Sequence, residues 1–194
     1  LPIETVQLPG EQYMTVASPI ANSKISLLFL HLPDGNLTGR GFPGSHYESL
    51  QDLLGGTSRM HTVDKQSSYN AQELVDALRA IMQVYQPTQI RTQATVLSVS
   101  FPDHSDHMAT SSFAEKAYEQ YEQSQYQNQV EIPFTRYIGY PVRDMAANVA
   151  DGDLAKKQAA FFAYARFDGA VCYSMRDCST TPTYWDYLER QYTE

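Results

Sequence analysis

The stretch QIRTQATVLSVSF, Gln89–Phe101, followed by PDHSDH, Pro102–His107, decides how this chain is read. Ile90, Thr92, Thr95, Val96 and Val99 are β-branched, so the first part reads as a strand. From Asp106 to about Ser124 the apolar positions Met108, Phe113, Ala117 and Tyr121 recur at helical spacing, so the second part opens a helix. Asp103, His104, Asp106 and His107 place two carboxylates and two imidazoles at that junction. A strand that delivers His and Asp to the first turn of a helix suits a metal. Neutral imidazole ligates zinc well, and a neighbouring carboxylate orients it or serves as a base. The plainer reading of the same residues is a polar strand-to-helix loop in which Asp106 is the N-cap.

Outward from this junction, strands and helices alternate. Ile3–Leu8 and Gln12–Val16, separated by Pro9-Gly10, read as a hairpin. Lys24–Leu30 is apolar on both faces, as a buried parallel strand demands. It runs into a long loop, His31–Gly44, rich in glycine and proline. Ser49–Leu54 reads as a short helix closed by Gly55-Gly56. Asn70–Tyr85 is the clearest helix, with Asn70 as N-cap, Glu73 completing a capping box, and Leu74, Ala77, Leu78, Ile81 and Met82 inward. Phe134–Tyr140 is a further strand stopped by Pro141. Asp153–Phe167 is a helix capped by Asp153, with Leu154, Ala160, Phe161 and Tyr164 inward. A last helix runs from Pro182 to Gln191. The class is therefore α/β with a largely parallel sheet. Such sheets bind ligands beyond the carboxyl ends of their strands, where the loop after Leu30 and the segment Asp103–His107 both fall.

Composition narrows the setting. The 194 residues fit one domain, and 42% hydrophobic residues supply a core. Fourteen Lys and Arg against 22 Asp and Glu give a net charge of −8 without a basic stripe, which argues against nucleic acid as a partner. Ile25–Leu30, the longest apolar run, is too short to cross a bilayer, and the first residues lack a signal-peptide pattern. Cys172 and Cys178 sit close enough to bond, contributing about 2–3 kcal/mol by loop closure. A disulfide and the glycosylation sequon Asn36-Leu37-Thr38 together point to a secreted or extracellular protein.

Several of these segments together resemble the phosphatidylinositol-glycan de-N-acetylase family, also called LmbE-like. The resemblance rests on Leu32-Pro33-Asp34-Gly35-Asn36-Leu37 after a strand and on Gln86–Thr92 after a helix. It continues with His104-Ser105-Asp106-His107, where the family usually has His-Pro-Asp-His, and with the Lys156/Lys157 helix bearing Tyr164. It spans roughly residues 24 to 170. It implies a Rossmann-like sheet with flanking helices and zinc-dependent deacetylation of N-acetylglucosaminyl compounds. By that resemblance His107 ligates zinc, His104 protonates the leaving amine, Asp106 orients the imidazoles, and Asp34 grips sugar hydroxyls.

The front of the pattern departs. The family opens with a strand ending in His-Pro-Asp-Asp, which supplies two zinc ligands and the general base, and this sequence has no such motif. The resemblance therefore implies a single domain over 1–194 that is N-terminally incomplete, lacking its first strand. The expected partners are an N-acetylated sugar or glycan and an N-terminal fragment of the same protein, on which the missing ligands would sit. The fragment alone would be inactive. A gap is expected between the strands at 24–30 and 89–96, or another polypeptide filling it. A noncatalytic carbohydrate-binding protein of the same fold is the alternative function. His31, His46 and His61 read as loop or surface residues, Tyr118, Tyr121 and Tyr126 as packing, and Ser111-Ser112 lacks the context of a hydrolase nucleophile.

Overall fold

The computed structural model describes residues 2–56, 59–95, 102–124, 131–180 and 182–194. They form a mixed α/β structure with small sheets. Strands β1 (Ile3–Gln7) and β2 (Tyr13–Ala17) make the expected hairpin, Ile3 opposite Ala17 and Gln7 opposite Tyr13. Strand β3 (Leu27–Phe29) pairs antiparallel with β2, Val16 facing Leu28. This corrects the reading of Lys24–Leu30 as a buried parallel strand. Leu28 and Leu30 pack on the core, while Ile25, Leu27 and Phe29 remain exposed. An antiparallel sheet leaves one face to solvent, and apolar residues on both faces do not prevent it.

Helix α1 (Leu50–Leu54) starts at Ser49, whose hydroxyl accepts the Asp52 N–H. The short strands β4 (Met60–His61) and β5 (Ser68–Tyr69) form a second antiparallel pair. Helix α2 (Ala71–Tyr85) has the full capping box expected from Asn70 and Glu73. Strand β6 (Ile90–Gln93) joins β7 (Phe134–Tyr137) in a parallel pair, with Ile90 N–H donating to Pro133 O at 2.9 Å and Ala94 N–H to Tyr137 O at 2.8 Å. Residues 96–99 of the expected strand lie outside the described residues. Strands β3 and β6 belong to different sheets, so the adjacency expected of 24–30 and 89–96 is absent from the described residues.

Helix α3 (Ser105–Ser124) packs on α1 and α2. Phe113, Ala117 and Tyr121 are buried on it as the spacing demands, and Ala109 joins them. With Leu50, Leu53, Met60, Tyr69, Leu74 and Val75, the residues Ala109, Phe113 and Ala117 make the main core. Tyr118 stacks on Phe134 at 4.9 Å between ring centres and donates to Ile132 O, a packing role; Tyr126 lies outside the described residues.

The chain divides into two compact units, Leu1–Thr92 with His104–Phe134, and Gln93–Asp103 with Thr135–Glu194. The second holds α4 (Asp151–Ala165), α5 (Met175–Thr180) and α6 (Pro182–Leu188). Helix α4 starts two residues before the expected cap. Asp153 lies in its first turn, where a carboxylate is favoured by the helix dipole, and pairs with Lys156 at 2.9 Å. Ala160 and Tyr164, expected inward, are exposed; Phe161 and Leu154 pack around Cys172, Cys178 and Leu188. Helix α6 ends at Leu188 rather than Gln191, and Lys157 Nζ donates to Tyr187 O and Arg190 O there. Cys172 and Cys178 form a disulfide, as their spacing suggested. Among the described residues no helix is long and apolar enough to cross a membrane.

Candidate metal centre

The loop after β3 and the start of α3 build one site within the first unit. The loop turns through two non-glycine residues in the left-handed region, His31 at φ 54° and Asn36 at φ 65°. Asn36 N–H donates to Asp34 Oδ1 at 2.7 Å, a side-chain turn of the kind that Asp favours. Ser105 then ties the loop to the helix: its N–H donates to Leu37 O at 3.2 Å and its hydroxyl to Asn36 O at 2.6 Å. The proline usual at this position in the resembled family has no N–H to make the first of these bonds.

The helix does not start as expected. Its first residue is Ser105, so Asp106 sits inside the first turn and is not the N-cap. His104 occupies the capping position. Its carbonyl accepts the His107 N–H at 3.0 Å, and its ring Nδ1 accepts the Asp106 N–H at 3.2 Å. A neutral imidazole that accepts at Nδ1 carries its proton on Nε2. That nitrogen lies 3.7 Å from Asp34 Oδ1, and Asp106 Oδ2 lies 3.7 Å from Nδ1. The His107 ring stands beside the His104 ring, 5.5 Å between centres.

Asp106 is the buried member of the group. Its Oδ2 accepts the Gly35 N–H at 2.9 Å, while its Oδ1 is buried with no hydrogen-bond partner. Burial pushes its carboxyl above the ordinary range, overcoming the Gly35 N–H and the fields of His104 and His107, which act the other way; Asp34 adds to the rise. Gly35 is what lets the loop come so close. A Cβ there would stand 2.5 Å from Asp106 Oδ1 and 2.9 Å from the Ser49 Cβ.

Asp34, His104 and Asp106 each offer a donor atom within 4.8 Å of the others. Two carboxylates, one of them with an orphaned buried oxygen, and an imidazole fit a divalent cation, and this donor set does not select zinc over its neighbours. Of the residues singled out from sequence, Asp34, His104 and Asp106 come together, although Asp34 and Asp106 are 72 positions apart; His107, expected as the metal ligand, stands beside His104 but is not one of the three. Asp103 does not join them. It is buried in the second unit, where its Oδ1 accepts the Tyr140 N–H at 3.1 Å. His31, half-buried, bonds Thr15 Oγ1 at 2.7 Å, and His46 and His61 lie elsewhere on the first unit, outside this group. Gly35 and Ser105 are the contributors that sequence reasoning passed over. The signal for Gly35 was a glycine directly after a site carboxylate.

No family model, curated protein or solved structure matches the chain.

Proposed function

We propose that the chain carries part of the site of a zinc-dependent amidohydrolase of the LmbE-like type, acting on the N-acetyl group of an N-acetylglucosamine-type sugar or glycoconjugate. In this reading the finer fold is the Rossmann-like one of that family, and further ligands come from a segment outside the described residues. His107 is the ligand, and zinc, when bound, supplies a Lewis acid for the amide carbonyl. His104 acts as the acid in its imidazolium form, handing the Nε2 proton to the departing amine and keeping the Nδ1 proton toward the Asp106 carboxylate, 3.7 Å away. Asp106 orients the imidazoles, and exposed Asp34 meets sugar hydroxyls.

The observation that carries the reading is the bond from Asp106 N–H to His104 Nδ1. In the neutral ring it leaves the proton on Nε2, turned to Asp34, so neither ring nitrogen of His104 offers a metal its lone pair and the ligand role falls to His107. A second reading is favoured by the mutual approach of Asp34, His104 and Asp106, and makes His104 itself the ligand.

The test compares His104→Ala with His107→Ala in the protein assembled with its complementing segment. Zinc content is measured by elemental analysis beside deacetylation of an N-acetylglucosaminide. The expected result is zinc loss in His107→Ala alone, and in His104→Ala retained zinc with turnover lowered roughly 10²–10⁴-fold. Equal zinc loss in both selects the second reading. Activity unchanged in both variants overturns the roles of the two histidines, and no deacetylation by the parent overturns the amidohydrolase.

A further inference from the structure

A second concentration of titratable side chains lies on the first unit, outside the metal centre. Ser45, His46 and Glu48 face His61, Thr62 and Lys65 across a cavity of about 600 Å³. Ser45 ends the single-turn helix Pro43–Ser45 and His46 and Glu48 follow it, while His61 ends β4 and Thr62 and Lys65 lie in the turn between β4 and β5.

Several of the polar atoms in this lining already have partners. Glu48 is its acid, and both oxygens of Glu48 are taken by one residue: His61 N–H donates to Oε2 at 2.6 Å, and His61 Nδ1 lies 2.7 Å from Oε1. Burial would raise the Glu48 carboxyl, but the His61 N–H and ring and the nearby His46 together hold it below the ordinary range. It is therefore ionised at neutral pH, with both oxygens occupied by His61. The Ser45 hydroxyl donates to Phe42 O at 3.1 Å, and the Thr62 hydroxyl donates to Ser67 O at 3.0 Å. Asp64, the other acid of the corner, accepts the Gln66 N–H at 3.1 Å and faces His31 at 3.9 Å. What the cavity offers a ligand is the Lys65 ammonium and the imidazoles of His46 and His61, all on exposed residues.

We propose that this cavity binds a small organic anion, a sugar-sized molecule bearing a phosphate group. Three nitrogen donors on two separate segments match the three terminal oxygens of a phosphate monoester better than the two of a carboxylate. The volume lies in the range of small-ligand pockets and exceeds what a bare phosphate needs. The site stands apart from the deacetylase reading and does not depend on it.

The test follows the ring C–H signals of His46 and His61 by NMR during titration with glucose 6-phosphate, inorganic phosphate and glucuronate. The expected result is a saturable shift of both histidines with glucose 6-phosphate. Inorganic phosphate is expected to bind more weakly. Lys65→Gln, which keeps the corner's backbone demand unchanged, should weaken glucose 6-phosphate by about tenfold, the scale of one lost charge-assisted hydrogen bond. Loss of all shifts, or shifts indifferent to Lys65→Gln, overturns the site. Glucuronate binding as tightly as the phosphate ester overturns the ligand class, and inorganic phosphate binding as tightly overturns the sugar-sized ligand.

Discussion

Helices α2 and α3 begin in opposite ways. At α2, Asn70 Oδ1 accepts the Glu73 N–H and Glu73 Oε2 accepts the Asn70 N–H, each at 2.9 Å, and Arg59 closes on Glu73 at 2.7 Å. The capping side chains all have partners. At α3 an imidazole does the capping, and a carboxylate in the first turn keeps one buried oxygen without a partner. The first start is built for stability alone. The second leaves acceptor capacity buried beside a loop carboxylate, an arrangement that costs stability until a cation or a proton arrives.

The largest effect that could break this contrast comes from Gly35. Its φ is ordinary, so backbone strain plays no part; the constraint is space alone. Gly35→Ala pushes a methyl group against Asp106 Oδ1 and the Ser49 Cβ and should destabilise the protein by about 1–3 kcal/mol, as overpacking does. The same push displaces the Asp106 carboxylate, so metal affinity should fall with stability. Urea unfolding beside metal titration checks both. An Ala variant of full stability with intact binding would mean that the close approach of loop and helix is dispensable.

The α2 start should respond differently. Asn70→Ala removes the cap and should cost about 1 kcal/mol while leaving metal binding untouched. Glu73 adds a pH signature. Burial alone would raise its carboxyl, but the Asn70 N–H and Arg59 outweigh that and hold it low. A carboxylate with a depressed folded pKa stabilises above its unfolded pKa, and the contribution is lost as pH falls through the folded value. Glu73→Gln should therefore lower Tm at pH 7 and match the parent near pH 3. A Tm difference that persists in acid would show that the box works through packing and not through charge.

What was legible in the sequence follows the same division. The α2 cap was readable because both partners lie within one turn, and so were the Ser49 start of α1, the first hairpin and the disulfide, each closed over a short span. Strand β3 was misread because its apolar run fixes neither the direction of its partner nor which face stays wet. The α3 start was placed one residue late because His104 caps through a ring nitrogen, a role for which sequence preference gives no credit. The four site residues were legible as chemistry, but their assembly was not. It depends on Gly35 letting Asp106 approach and on Ser105 tying Asn36 and Leu37 to the helix, contacts of long sequence separation that no local period encodes.

The smallest effect is the sharpest probe of the contrast. Asp106 has a folded pKa raised by burial, so its effect has the opposite sign to that of Glu73. Stability associated with Asp106 is fully present below its unfolded pKa and is lost as pH rises through the folded value. Asp106→Asn keeps an oxygen to accept the Gly35 N–H and removes the charge that burial penalises. Against this stands the loss of a first-turn carboxylate, worth about 0.3–1 kcal/mol with the helix dipole. The Gly35 bond and both histidines fail to bring the carboxyl down to its ordinary range, so desolvation wins. In metal-free protein the Asn variant should therefore match the parent at pH 3 and gain on it steadily toward pH 7, read as the difference in Tm. Added divalent cation should reverse the order at pH 7, because only the parent has a charged oxygen for the ion. A variant less stable than the parent at pH 7 without metal would mean that the dipole outweighs burial, and that the unpartnered oxygen costs nothing that a ligand could recover.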